Sequence, residues 1–149
     1  MPARAEGFTL IELLVVLAIM GTAAGAIALA IRPRAAGEDE AEARRLAARI
    51  ELAADQAMLD DRAIGLDWSA RGYRFLAWGG GRWLPARGDA LAPHALPAGL
   101  SLAGAGPHTV PIGADGGGSP LDLVLSGGGA RWAIHFDGAA ARAERMPGA

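Results

Sequence analysis

Hydrophobic and polar residues follow three regimes along this chain of 149 residues. From Leu13 to Ile31 no residue is charged. With Phe8 to Glu12 added, the segment predicts a helix over 8–31, long enough to span a bilayer core, which needs about 20 apolar residues at about 1.5 Å each. "RPRAAG", residues 32–37, predicts a break or kink, because Pro33 removes a backbone donor and disfavours helical geometry at Arg32. From Glu38 to Asp60 the period is helical, with Leu46, Ile50, Ala53 and Ala57 on one stripe. Acidic residues crowd the first turn of that helix, where its dipole favours them, and Glu40 precedes Arg44 in the favourable i,i+4 order. Its charges read as a solvated face without catalytic work.

From residue 63 the period falls to two. In "AIGLDW", Ile64, Leu66 and Trp68 alternate inward. "YRFLAW" and "RWLPA" flank glycines 79–81 and predict a hairpin. "DALAPHALPAGLSL" has the character of a loop, with Gly99 leading into a short apolar stretch, and "PIGADGGGSP" reads as a long turn. "LDLVLS", a glycine run and "RWAIHF" predict a second hairpin, and "DG" at 137–138 turns the chain into a last strand around Ala139 to Arg145. The expected fold class is α+β: one long N-terminal helix, transmembrane in its first half, packed on antiparallel β-sheet.

Composition narrows the function. Hydrophobic residues make up 52%, enough for a core after a membrane segment is subtracted. The net charge is -2 and no basic patch dominates, which argues against non-specific nucleic-acid binding. All 14 basic residues are Arg, a bias read as compositional. The absence of Cys excludes disulfides, thiol catalysis and Cys-based metal sites.

Glu12 is the anomaly of the apolar run. A carboxylate deep in a membrane helix costs roughly 2.5–3.5 kcal/mol on insertion scales, less near the end. One reading has it snorkel to the interface. The other supplies a cation. No Arg lies within the run, and cutting after Gly7 would create an α-amino group on Phe8, one helical turn from Glu12. That amine would be its own or a neighbouring copy's. If a neighbour's, the pair would fix the axial register of packed helices. A secretory signal cleaved behind its apolar region would be shorter, with a small-x-small site after it. Here the small residue, Gly7, lies before the run, so the apolar segment is expected to stay in the mature protein. Arginine positions leave the orientation open: Arg4 lies on one side, Arg32 and Arg34 on the other.

"GFTLIE" followed by an apolar run resembles the class III signal of type IV pilins and type II secretion pseudopilins. The resemblance implies a leader over 1–7, cleavage between Gly7 and Phe8, N-methylation of Phe8 by a prepilin peptidase, and an assembly role for Glu12. It places the leader in the cytoplasm and a pilin-like domain, residues 38–149, in the periplasm, held at the inner membrane by a single pass. "EARRLAARIELAADQAMLDDRAIGLDW", "GYRFLAW" and "LVLSGGGARWAIHFDGAAARA" resemble minor pseudopilins of the GspH/FimT type. The implied partners are other pseudopilins, major and minor, in a helical fibre, the inner-membrane secretion platform and membrane lipid. No cofactor and no nucleic acid are implied.

No other chemistry emerges. His94 and His108 fall in Pro-rich loops, and His135 alternates away from the inward Ile134 and Phe136; no metal-binding spacing connects them. Ser69, Ser101, Ser119 and Ser126 lack a nucleophile elbow. "GADGGG" lacks the Lys-Ser/Thr and the helix of a phosphate loop, and Asp115 alone is too few oxygens for Ca²⁺. Trp68, Trp78, Trp83 and Trp132 read as sheet packing or as a contact surface. Three functions remain distinct: a structural pseudopilin of type II secretion, with a minor type IV pilin or DNA-uptake pseudopilin as its near alternative; a membrane-anchored binding module; and an anchored enzyme, for which no catalytic constellation exists. The lack of Cys favours secretion, because many type IV pilins resemble one another in a C-terminal disulfide loop.

Overall fold

A computed structural model describes residues 10–30, 37–107, 109–113 and 118–147, with side chains in the first stretch as far as residue 26. The chain forms two compact units, Met1–Ala35 and Ala36–Ala149. The leader, the cleavage site and the expected break over 32–37 lie outside the described residues, apart from Gly37, as do His108 and Asp115.

The first unit contains helix α1, Leu10–Ala30. Glu12, in its first turn, is its one charged residue. The second unit begins with α2, Glu38–Leu59. Gly37 takes a left-handed φ of 94° at its start, and Glu38, Asp39 and Glu40 fill the first turn. One face of α2 is closed to solvent: Ala43, Leu46, Ala47, Ile50, Ala53, Ala54 and Ala57. The alanines let the helix axis approach the strands closely, and larger side chains from the sheets fill the space between.

Among the described residues nine strands follow: β1 Ile64–Ser69, β2 Gly72–Gly79, β3 Arg82–Pro85, β4 His94–Ala95, β5 Ser101–Gly104, β6 Thr109–Gly113, β7 Leu121–Gly127, β8 Ala130–Phe136 and β9 Ala141–Arg145. They form two antiparallel sheets. The first has the order β3-β2-β1-β6, with β4 also pairing β2; the second has the order β5-β7-β8-β9. α2 packs on strands of both, touching β1 and β6 of the first and β7, β8 and β9 of the second. Inward residues of β1 and β2 pair directly, Leu66 with Phe75 and Trp68 with Tyr73, so one register buries all four. In the second sheet Leu121 pairs with Phe136, Leu123 with Ile134 and Leu125 with Trp132, and all six are buried.

Both expected hairpins form. The β2–β3 turn uses Gly80 and Gly81 at φ 63° and 78°, and the β7–β8 turn uses Gly128 and Gly129 at φ 65° and 88°. Two consecutive positive φ values match the twist of the flanking strands and favour glycine. In the β8–β9 turn, Asp137 Oδ1 accepts from Ala140 N at 2.8 Å and Ala139 N at 2.9 Å. These bonds, that of Ala140 first, hold its carboxyl below the usual carboxylate range. A depressed folded value means that the turn's contribution is complete above the unfolded pKa, about 4, and is lost as pH falls through the folded value.

The "PIGADGGGSP" reading needs correction. Its first three residues belong to β6, which pairs with β1 through Val110–Leu66 and Pro111–Gly65. Pro111 is tolerated because β6 is an edge strand and the residue is exposed. Val110 and Ile112 point into the core. His94 and Ala95, expected in a loop, form the short β4 against Gly72 and Tyr73. An added Cβ on Gly72 would lie 2.4 Å from the His94 carbonyl oxygen, so only glycine permits that approach.

Candidate assembly interface

α1 is apolar on all sides. Leu10, Ile11, Leu13 and Met20 are 84%, 72%, 58% and 65% exposed in the isolated chain. A helix without a polar face lacks a stable place in water and is ordinarily covered by protein or lipid. Thr22 Oγ1 donates to Ala18 O or Ile19 O, at 3.0 and 2.9 Å, so its hydroxyl is satisfied within the helix. Gly21 and Gly25 stand one turn apart, and a Cβ on either would meet nothing within 4 Å. This small-xxx-small notch lets another helix approach closely. Its spacing is visible in "GTAAG", a signal that reading the segment for length alone passes over. Among the described residues no helix is long and apolar enough to cross a membrane.

In the second unit, the charged residues of α2 do more than face water. Glu42, 5% exposed, is the buried charged side chain among the described residues. Its Oε1 accepts from Arg45 Nη1 at 2.8 Å, and its Oε2 lies 2.7 Å from His94 Nε2. Arg49 donates from Nε to Ala90 O at 2.9 Å and from Nη2 to Ala92 O, with its guanidinium 5.2 Å from the Tyr73 ring centre. Burial pushes the Tyr73 phenol up, and the neighbouring Arg49 offsets part of that. Trp132 Nε1 donates to Asp39 Oδ2 at 3.3 Å, and Glu51 Oε1 accepts from Ala141 N at 3.0 Å. Arg44, Arg45, Glu51 and Asp55 form the expected solvated face, and Glu42 departs from it. A charge at the margin of a helix's apolar stripe is buried when a distant segment folds over it; here that segment is residues 86–100, which Arg49 holds at Ala90 and Ala92 and Glu42 holds at His94.

Glu42→Ala is expected to lower stability by about 1–3 kcal/mol, since Arg45 and His94 lose their shared acceptor. The midpoint of urea unfolding measures this, and protease cleavage within residues 86–100 should accelerate in parallel. An unchanged midpoint with unchanged cleavage would deny the clasp any stabilising role.

The remaining sequence candidates separate. His135 is exposed, its Nδ1 2.5 Å from Asp122 Oδ1 on the outer face of the second sheet, well apart in the chain from the Glu42 cluster. Trp68 and Trp132 are core residues. Trp78 is 44% exposed and meets Trp83 across the hairpin, edge to face, with ring centres 5.2 Å apart. Among the described residues no three His, Asp or Glu side chains converge as metal ligands would.

Residues 2–28 match the prokaryotic N-terminal methylation motif, and residues 42–140 match the family of type II transport protein GspH. The second match runs from within α2 to just beyond β8. The chain belongs to the GspH family. It is 37% identical over 95 residues to the type II secretion system protein H of Pseudomonas aeruginosa, covering 62% of this chain and 54% of that protein. With the protein of the same name from Klebsiella michiganensis it shares 31% over 72 residues, 48% of this chain and 39% of that one. The chain thus spans about half the length, or less, of the curated relatives it matches. The solution structure of Escherichia coli GspH superposes with a TM-score of 0.54 at 25% identity, covering 70% of this chain and 84% of that one. The shared architecture of a GspH-family member is the helix packed on antiparallel sheets, an α+β pilin-like fold.

Proposed function

We propose that this chain is a minor pseudopilin, a structural subunit of the periplasmic pseudopilus that drives protein export in type II secretion. The observation that carries the proposal is the pairing of two features in one chain: a GspH-family domain, and ahead of it an apolar helix with one carboxylate in its first turn, within a match to the methylation motif. In this proposal residues 1–7 are the leader, Gly7 and Phe8 flank the cut, and Phe8 is methylated. Residues 8–31 cross the inner membrane once, 32–37 form a break, and 38–149 form the periplasmic domain. The helix then leaves lipid for the core of a fibre, where the Gly21–Gly25 notch admits a neighbouring helix and Glu12 pairs with the Phe8 amine of the next subunit. Apolar burial supplies most of the cohesion, at about 25 cal/mol per Å². The work of the chain is structural, and its partners are other pseudopilins, the prepilin peptidase and the secretion platform.

Intact-mass measurement and N-terminal sequencing of the membrane-extracted protein test this. The mature chain should begin with methylated Phe8; a chain that keeps its first seven residues would count against the proposal. Gly7→Leu should leave the precursor uncut, because a branched side chain replaces the small residue at the scissile bond. A gel showing the shortened product at the wild-type level would contradict that role.

A further inference from the structure

Around the turn that joins β1 to β2, two arginines line one groove on the outer face of the first sheet. Asp67 pairs with Arg74, Ser69 with Gly72, and Gly72 in turn with Ala95 of β4. Trp68 and Tyr73, at the alternate positions, are buried, so Asp67, Ser69 and Arg74 stand on the opposite face. Gly72 and Ala95 carry little or no side chain and leave the floor of the groove open. Its volume is about 490 Å³, within the range of about 300–1,000 Å³ that small ligands occupy. His94, in its wall, touches Glu42 in the second turn of α2, so the groove lies at the N-terminal end of that helix.

The turn holds its cations ready. Arg71 N donates to Ser69 Oγ at 3.3 Å, Leu96 N to Arg71 O at 2.9 Å, and Leu102 N to Ala70 O at 3.3 Å, which fixes the backbone. The Arg71 side chain is exposed, and among the described residues it has no ion-pair partner. Arg74 donates from Nε to Asp67 Oδ2 at 2.6 Å and keeps 59% of its side chain exposed, so the rest of its guanidinium stays available. Two guanidinium groups against one carboxylate leave the groove positive. Their planar forks match phosphate oxygens. Asp67 and Ser69 add acceptors, which suit hydroxyl groups. Phosphate beside hydroxyls is the chemistry of a glycerophosphate headgroup. An acidic protein side chain would engage the arginines alone and fill little of the volume.

We propose that this groove binds the glycerophosphate headgroup of an anionic membrane lipid, with Arg71 and Arg74 on the phosphate and Asp67 and Ser69 on the glycerol hydroxyls. The inference rests on the pseudopilin reading, in which the chain enters the second unit from the membrane at the same end of α2. The contact holds the domain on the bilayer until the subunit leaves lipid for the fibre.

The chain has no cysteine, so one introduced thiol reports alone. Ala95→Cys places it in the groove, and Met58→Cys, at an exposed residue near the other end of α2, serves as the reference. The full chain, the sole protein present, is placed in nanodiscs of phosphatidylcholine or of phosphatidylglycerol, and alkylation by uncharged N-ethylmaleimide is timed. Phosphatidylglycerol should slow the reaction at position 95 about fivefold, as when lipid exceeds its dissociation constant about fourfold, and leave position 58 unchanged. Arg71→Ala should abolish the slowing, as should about 1 M salt, which shortens the screening length to about 3 Å. Equal rates in both lipids, or slowing that survives either treatment, overturns the proposal. Two further arms add glycerol phosphate or poly-aspartate to phosphatidylcholine discs. Slowing there, without slowing by phosphatidylglycerol, would assign the groove to a soluble phosphate or to an acidic protein and overturn the lipid source. Co-elution of the chain with phosphatidylcholine discs reads anchoring separately. A chain that elutes alone sinks the pseudopilin reading and this inference together, whereas an anchored chain with equal rates sinks this inference only.

Discussion

Phe136→Ala is expected to lower the unfolding free energy of the second unit by about 3–5 kcal/mol. The ring is 0% exposed. It ends β8, where it pairs with Leu121 of β7 on one side and Ala141 of β9 on the other, so both neighbouring strands wall the space it would vacate. The backbone of Gly118 closes that space further: a Cβ there would lie 2.6 Å from Phe136 Cε1 and 2.0 Å from Ile112 O. Walls made of hydrogen-bonded backbone relax little, so the cavity persists and the loss sits at the upper end for such substitutions. Against a total of about 5–15 kcal/mol the loss is large. Urea unfolding should show a lower midpoint with an unchanged slope. His135→Ala, one residue away and exposed, should move stability by less than about 1 kcal/mol. Equal effects from the two substitutions would mean that β8 does not present Phe136 to the core.

Glu12→Ala is expected to reduce secretion at least about tenfold, about 1.4 kcal/mol of lost subunit affinity, while leader removal proceeds normally. Glu12 lies in the first turn of α1 and is its one charged residue. Replacing it with Ala eases insertion into lipid, by roughly 2.5–3.5 kcal/mol near a helix centre and less near an end. Weaker anchoring therefore cannot account for a loss of secretion; what disappears is the acceptor for the amine of a neighbour. Glu12→Gln separates charge from shape, because it keeps the size and loses the ion pair. Normal export by both variants, with the mature chain present at wild-type levels, would leave the carboxylate without a role in register. The expectation rests on the pseudopilin proposal. Mass analysis of the wild-type N-terminus tests that proposal separately, so failure of one can be told from failure of the other.

Residues whose neighbours lie nearby in sequence were legible in it. The helix period around Leu46 and Ile50, the alternation through Leu66 and Trp68, and the paired glycines of both hairpins each follow from local geometry. β6 was not legible, because Pro111 and the glycines after Ile112 imitate a turn, and its strand character comes from pairing with β1, more than forty residues earlier. The division into two sheets was equally hidden. β5 pairs forward with β7 while β6 pairs back with β1, and neither four- or five-residue strand carries a signal of its partner.

By itself the sequence determined the apolar helix with its lone acid, the α+β class and the hairpins, since these depend on contacts within a few residues. Tertiary structure alone decided that Glu42 is buried beside His94, 52 positions away, and that Arg49 ties down residues 90 and 92. Each of these bonds joins residues more than forty positions apart, beyond the reach of any local pattern.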